Sequence, residues 1–510
     1  MQVVFPLDLG MRIEGDDKVR TLIEVTERMD YKELTGRYQR QPRKSEATPK
    51  QMFQIVLLGF MVERYSTRKI ESACKNDIRF LYLLGGKRAP EHSKIARFIK
   101  DYLQGEVAEH LFSQMVLLLA EYGEIAFENL FVDGTKIEAN ANRYSFVWAK
   151  STRKYEARAD EKLAGLLERV TTAYGIVCES GAQCLKALEE IKQQRNITFV
   201  YGRGKRKTQL QRDIEEVDAL LVRKEKYKKY HETLKGRNSF SKIDKDATFM
   251  RMKEDHMMNG QLKPGYNLQL GVEGEYIVGA HLCAERSDEL ALFGLLERMD
   301  AGLKRRHKAI VADAGYESEE NYKRLAERKQ IAYIKPQNYE RSKTRKYRNN
   351  AYLRDNMPYD AATDTYTCPA GNTFEHIYET KRKSKSDYEA IVTVYECFSC
   401  GACPQKALCT RAKGNRRLQV SKDFLSLRQA SQQRITTDWG KTLRLNRSIQ
   451  SEGAFGVLKE DYSFRRFLRR GEGNAFTELL LYVMAYDVNK FHNKLRRNQS
   501  GCTLHMLNSA

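Results

Sequence analysis

Asn129-Leu130-Phe131-Val132-Asp133-Gly134-Thr135-Lys136 is the stretch from which the rest of the chain is read. Strand-forming residues run into Asp133, and Gly134 lets the backbone bend without steric cost, so the pattern predicts a strand that delivers a carboxylate at its end. An Asp before a Gly is ordinarily a turn residue. Lys308-Ala309-Ile310-Val311-Ala312-Asp313-Ala314-Gly315-Tyr316 repeats the pattern, however, with a second apolar strand bringing Asp313 to a small-residue turn. Two such strands in one chain predict a paired acidic site.

The surrounding sequence predicts a mixed α/β sheet flanked by helices. Tyr266-Asn267-Leu268-Gln269-Leu270-Gly271-Val272, the turn Glu273-Gly274-Glu275 and the run 276–283 read as a hairpin. A helix with Leu290, Leu292, Leu295 and Leu296 on one face follows, then the Asp313 strand, a helix over 318–329 and a strand over 331–334. Between the first strand and the hairpin, residues 150–235 are helical and highly charged, and Leu210, Ile214, Val217 and Leu221 form the seam of a helical hairpin or short coiled coil. Residues 1–115 read as several short helices. One of them, starting at His92-Ser93, carries Lys94, Arg97 and Lys100, which a helix-turn-helix would set against DNA phosphate and a plain bundle would leave as a solvated basic face. Residues 345–425 break the pattern with basic runs, turns and cysteines. From about 440 the chain reads as helical to Arg497, with a frayed end.

The chain has 510 residues, 41% hydrophobic and 31% charged, which fits two or three globular domains and excludes a disordered polymer. With 89 Lys and Arg against 67 Asp and Glu, its net charge of +22 points to a polyanionic partner, above all nucleic acid. There is no apolar run long enough for a transmembrane helix, and residues 1–10 lack the basic flank and apolar core of a secretory leader, so a cytoplasmic protein with no membrane partner is expected. Five of the ten cysteines lie within 368–409, a spacing that favours metal binding in a reducing compartment over a disulfide framework.

Hard carboxylate oxygens at two neighbouring strand ends suit Mg²⁺ or Mn²⁺. A third acid is offered by Glu452 in Arg447-Ser448-Ile449-Gln450-Ser451-Glu452-Gly453-Ala454-Phe455-Gly456-Val457-Leu458-Lys459. Gly453 and Gly456 cost helix stability, about 1 kcal/mol each relative to Ala, as a close approach of backbone or substrate would require. Lys459 lies seven residues beyond Glu452, two helical turns along the same face. Taken together, the three acidic segments resemble those of the DDE transposases of bacterial insertion sequences. That resemblance implies an RNase H-like catalytic core in which Asp133, Asp313 and Glu452 are catalytic and hold the metal, with Lys459 on DNA phosphate. It also implies cleavage at transposon ends followed by strand transfer into target DNA, by paired protomers on two terminal inverted repeats of double-stranded DNA, in a nucleoid-associated cytoplasmic protein. One departure concerns Arg447: four residues separate it from Glu452 where some relatives have three.

Cys397-Phe398-Ser399-Cys400-Gly401-Ala402-Cys403, with Cys368 before and Cys409 after, supplies five candidate zinc thiolates. Cys368, Cys397 and Cys400 with either Cys403 or Cys409 is the favoured set. Phe464-Arg465-Arg466-Phe467-Leu468-Arg469-Arg470 interleaves aromatic rings with Arg465, Arg466, Arg469 and Arg470 and is a candidate DNA contact, or else a basic turn covering the core. The expected organisation is a helical DNA-binding domain over 1–115, core segments over 125–150 and 241–344, a helical insertion over 151–240, a cysteine-rich insertion over 345–425, and a helical final core segment over 440–497. The rival readings are a metal-dependent nuclease without strand transfer and a catalytically inactive zinc-containing DNA-binding protein.

Overall fold

The computed structural model describes residues 9–38, 42–252 and 260–506. Residues 1–8, most of the segment read for a leader, lie outside them, as do the last four of the end read as frayed. The strands are β1 (Asn129–Glu138), β2 (Phe146–Trp148), β3 (Ser239–Ser241), β4 (Thr248–Arg251), β5 (Leu262–Glu273), β6 (Tyr276–Cys283), β7 (Ala309–Ala312), β8 (Ile331–Ile334), β9 (Tyr359–Asp360), β10 (Thr365–Thr367), β11 (Thr373–Lys383), β12 (Glu389–Cys397) and β13 (Arg416–Val420). The chain divides into two compact units.

The larger unit comprises Met1–Thr135, Asn267–Arg465 and Gly473–Ala510. Its sheet runs β6-β5-β1-β7-β8, with β5 and β6 antiparallel and β1, β7 and β8 parallel. The helices Asp288–Leu303 and Glu319–Glu327 make the crossovers that parallel strands demand. Leu130, Phe131, Val132, Ile310 and Val311 are wholly buried, the continuous apolar runs expected of strands covered on both faces. In the N-terminal region, Thr48 and Gln51 form a reciprocal capping box at the start of the helix Pro49–Met61, whose first helical residue is a proline that gives up no needed N–H. Eleven of that helix's 13 residues are buried, so it is the centre of the helical layer rather than its surface.

The helix Glu472–Arg496 is likewise buried along its middle, from Ala475 to Val488. Near its end Lys494, 5% exposed, is held by the buried Glu124 carboxylate at 3.0 Å and by the carbonyls of Gly274 and Cys502. A buried ammonium is tolerated only with its donors satisfied, and this one ties the final helix to the β5–β6 turn. The chain from 440 is therefore not one helical run: it leaves the helical path after Asp461 and resumes it at Glu472.

Residues 357–420 of the same unit carry an antiparallel sheet in the order β13-β12-β11-β10-β9. Its core is Phe374, Tyr395, Leu418 and Val420 together with Cys368, Cys397 and Cys400. β11 is exposed along most of its length, so no alternation of apolar and polar residues announces it in the sequence.

The smaller unit comprises Lys136–Tyr266 and Arg466–Glu472. Its helices Ala149–Tyr174, Gly181–Gln194 and Gln209–Leu234 share a core in which Leu210, Ile214 and Val217 are buried and Leu221 partly so. The seam read from the sequence thus belongs to three helices rather than two. Among the described residues of the chain, no helix is long and apolar enough to cross a membrane.

Candidate active site

β1 pairs with β7 in parallel register, Val132 opposite Ala312. The next residue on each side is an aspartate, and neighbouring strands lie about 4.8 Å apart. Asp133 and Asp313 are thereby set side by side, as the two matched sequence patterns lead one to expect. Their local settings differ. Asp313 does end its strand: it caps the short 3-10 turn Ala314–Tyr316, its carboxylate accepting the Gly315 N–H at 2.8 Å. Asp133 sits in mid-strand, because β1 runs on to Glu138, and its Oδ1 accepts the Gly134 N–H at 2.8 Å.

Gly134 is therefore not a turn residue. The reason for a glycine there is space: a Cβ would stand 2.4 Å from Gln269 Nε2 and 3.0 Å from Asp288 Oδ1. Those two groups belong to a buried polar network that alternation alone does not reveal. Asp288 Oδ1 accepts the Asn267 side-chain amide at 2.8 Å and that of Gln269 at 2.9 Å, and Tyr316 donates its hydroxyl to Gln269 Oε1. Burial, and then the negative charges of Asp288, Asp133 and Asp313, push the Tyr316 pKa well above its ordinary value, so the hydroxyl remains a donor. The available signal was Asn267 and Gln269 themselves, two polar side chains on one face of an apolar strand, both wholly buried.

Arg447 joins Asp133 to Glu452. Its Nη1 lies 3.3 Å from Asp133 Oδ2 and its Nη2 lies 3.9 Å from Glu452 Oε1. Glu452 also accepts the Ser448 hydroxyl at 2.8 Å and is 63% exposed. The segment Ser448–Glu452 is a π-helical turn, as is Val457–Asp461. A π turn closes its hydrogen bond over five residues instead of four, so the extra residue between Arg447 and Glu452 is taken up by the wider turn and both side chains stay on one side. A Cβ at Gly453 or Gly456 would meet nothing within 4 Å, so neither glycine is needed by a neighbouring part of the chain.

The rear of this helix is held. Gln450 donates to the Thr503 carbonyl at 2.9 Å and accepts the Glu275 N–H at 2.9 Å, while Asn446 exchanges two hydrogen bonds with the His505 backbone. The end of the chain, read as frayed, is thus a strap across the helix that carries Glu452 as far as it is described.

The basic candidates fall in several places. Lys459 is half-buried one π turn past Gly456, and Arg465 pairs with Glu460 at 2.5 Å. In the smaller unit, Arg466 donates to the Ala141 carbonyl at 3.2 Å and Arg470 to that of Asn140 at 3.0 Å, with Phe467 edge-on to Tyr266. Arg466 and Arg470 remain exposed and Arg469 is half-buried. Lys94 pairs with Glu46 at 3.2 Å, and Arg97 is exposed at the end of the helix His92–Arg97.

All five clustered cysteines, Cys368, Cys397, Cys400, Cys403 and Cys409, line one small cavity of about 20 Å³. The Cys368 and Cys400 sulfurs accept the backbone N–H groups of Asn372 and Arg416, and Arg416 Nη1 lies 2.8 Å from Cys409 Sγ. Among the described residues, no three His, Cys, Asp or Glu side chains are disposed to hold a metal ion.

Residues 8–101 match the family model of a transposase domain (DUF772), and residues 367–492 match that of a transposase DDE domain. Together the two matches support an insertion-sequence DDE transposase. The second includes Glu452, Lys459 and the cysteines; Asp133 and Asp313 lie outside both. No curated protein and no solved structure matches the chain.

Gly134→Ala should displace Gln269, which is wholly buried and cannot swing away without losing its bonds to Asp288 and Tyr316. The expected loss is about 1–3 kcal/mol in urea unfolding; a midpoint equal to that of the wild type would contradict the packing described.

Proposed function

We propose that the chain is a DNA transposase with an RNase H-like core, which cuts the ends of a mobile element and joins the freed 3′-hydroxyls to target DNA. The reading is carried by one observation, the parallel register that sets Asp133 beside Asp313 in the same unit as Glu452. Residues 125–150, 241–344 and 440–497 would form the core, and residues 1–115 a DNA-binding domain. The helices over 151–240 and the sheet within 345–425 would be insertions in that core.

The donor set fits hard divalent cations. Asp133 and Asp313 offer adjacent oxygens, and Glu452, exposed and linked to them through Arg447, is the third carboxylate within reach of a change of partner. A pair of Mg²⁺ or Mn²⁺ ions supplies activation of water or of a 3′-hydroxyl and neutralises the attacking and leaving oxygens of an in-line displacement. The chain's own residues fix the charges that receive those ions. The Gly134 and Gly315 N–H groups orient the two aspartates, and Arg447 balances part of their charge and stands beside the path of a phosphodiester. Lys459, Arg465, Arg466, Arg469 and Arg470, with Lys94 and Arg97 in the N-terminal domain, would contact phosphates of double-stranded DNA. Protomers would act in pairs, one at each terminal inverted repeat.

The test is cleavage and joining of a labelled DNA end taken from the element's own flanks, with Mg²⁺ or Mn²⁺. Asp133→Asn, Asp313→Asn and Glu452→Gln should each lower both reactions on the order of 10³-fold or more while end binding persists. Cleavage without joined product would make the protein a nuclease, and end binding by an inactive wild type would make it a non-catalytic binder.

We also propose that the cysteine cavity takes a structural Zn²⁺, on Cys368, Cys397, Cys400 and one of Cys403 or Cys409. The N–H groups already turned on two of the sulfurs are what thiolates bound to zinc require. Purified protein should contain about one zinc per chain, and Cys397→Ser together with Cys400→Ser should abolish it; equal zinc in that double variant would refute the site.

A further inference from the structure

We propose that Asp288 is a fourth carboxylate of the acidic site, a direct metal ligand through its Oδ2; this rests on the metal-dependent reading of Asp133 and Asp313. Asp288 opens the helix Asp288–Leu303 and is half-buried. Its two oxygens are used differently. Oδ1 is fixed by the Asn267 and Gln269 amides at 2.8 and 2.9 Å. Among the described residues, Oδ2 takes no hydrogen bond from the protein, and it stands 3.6 Å from the point where a Gly315 Cβ would be, a point 3.0 Å from Asp313 Oδ1. One oxygen of Asp288 and one of Asp313 therefore flank the same small space, which the absence of a side chain at Gly315 keeps open. Oδ1 in turn stands 3.0 Å from the place of a Gly134 Cβ, next to Asp133.

A second observation points into the same region. Thr135 is two residues along β1 from Asp133, so its side chain leaves the strand on the same face. It is 3% exposed, and its hydroxyl has no hydrogen-bond partner. A buried hydroxyl without a partner costs about 1–3 kcal/mol unless something polar reaches it, and hydrated cations are polar. Three aspartates around one space, with an unpartnered hydroxyl on the same strand face, form a site that lacks positive charge. The two amides on Oδ1 make Asp288 rigid, which a ligand needs and a solvated surface carboxylate does not have.

Mn²⁺ binding to the full chain without DNA, followed by the electron paramagnetic resonance of the free ion, tests this. Asp288→Asn keeps an oxygen for both amides and removes only the charge. It should weaken Mn²⁺ roughly 10–100-fold, as should Asp133→Asn, with thermal unfolding near that of the wild type. Wild-type Mn²⁺ affinity in Asp288→Asn, with weakened affinity in Asp133→Asn, would overturn the role of Asp288 and leave the aspartate pair intact. Unchanged affinity in both variants would overturn the metal-dependent reading itself. Should Asp288→Asn misfold, Asp288→Cys gives an independent readout: a thiolate–Cd²⁺ ultraviolet absorption above that of wild type, lost on adding Asp313→Asn, supports ligation, and its absence refutes it.

Discussion

The parallel pairing of β1 with β7 is the constraint on which the rest depends. It is made by wholly buried residues, Leu130 to Val132 against Ile310 and Val311, and it delivers Asp133 and Asp313 to adjacent positions. Two carboxylates about 5 Å apart repel by about 3 kcal/mol at an effective dielectric near 20. The protein answers with backbone N–H groups, one to each aspartate, and with the Arg447 guanidinium on Asp133. Apolar packing therefore holds together an arrangement that electrostatics opposes. Such a pairing of cheap burial with expensive charge is expected of a site that binds a cation.

The rest of the larger unit supports that pair from two sides. From below, Tyr316, Gln269, Asn267 and Asp288 form a connected polar network with wholly buried members, which fixes the floor under Gly134 and Gly315. From the side, the helix with Arg447 and Glu452 is widened by two π turns and strapped from behind by residues 503–505. A π turn is less stable than an α turn and persists only where packing holds it, so the strap through Asn446 and Gln450 and the turn at Glu452 belong to one device. Glu452 itself stays exposed on the face away from the strap, able to exchange partners.

Much of this was legible in the residues, for physical reasons. β7, β8 and the β5–β6 hairpin are short apolar runs bounded by turn residues, and the strand read over 331–334 coincides with β8. The juxtaposition of the two aspartates followed from two strands with the same pattern. What stayed hidden depends on three-dimensional neighbours. Gly134 reads as a turn because glycine's freedom is visible in sequence, whereas the closeness of Gln269 is not. Arg447 was off the expected spacing, since a π turn leaves no residue signature. β11, solvated along most of its length, has no buried face to impose a period. Asp288 reads as an ordinary acidic residue in the first turn of a helix until its neighbours from β5 are placed.

The most direct measurement is a crystal of the chain soaked in Mn²⁺, with anomalous differences recorded at the manganese edge. The account predicts a peak between the Asp133 and Asp313 carboxylates, with Arg447 withdrawn from Asp133. Manganese bound elsewhere, with that pair empty and Arg447 still in place, would contradict it.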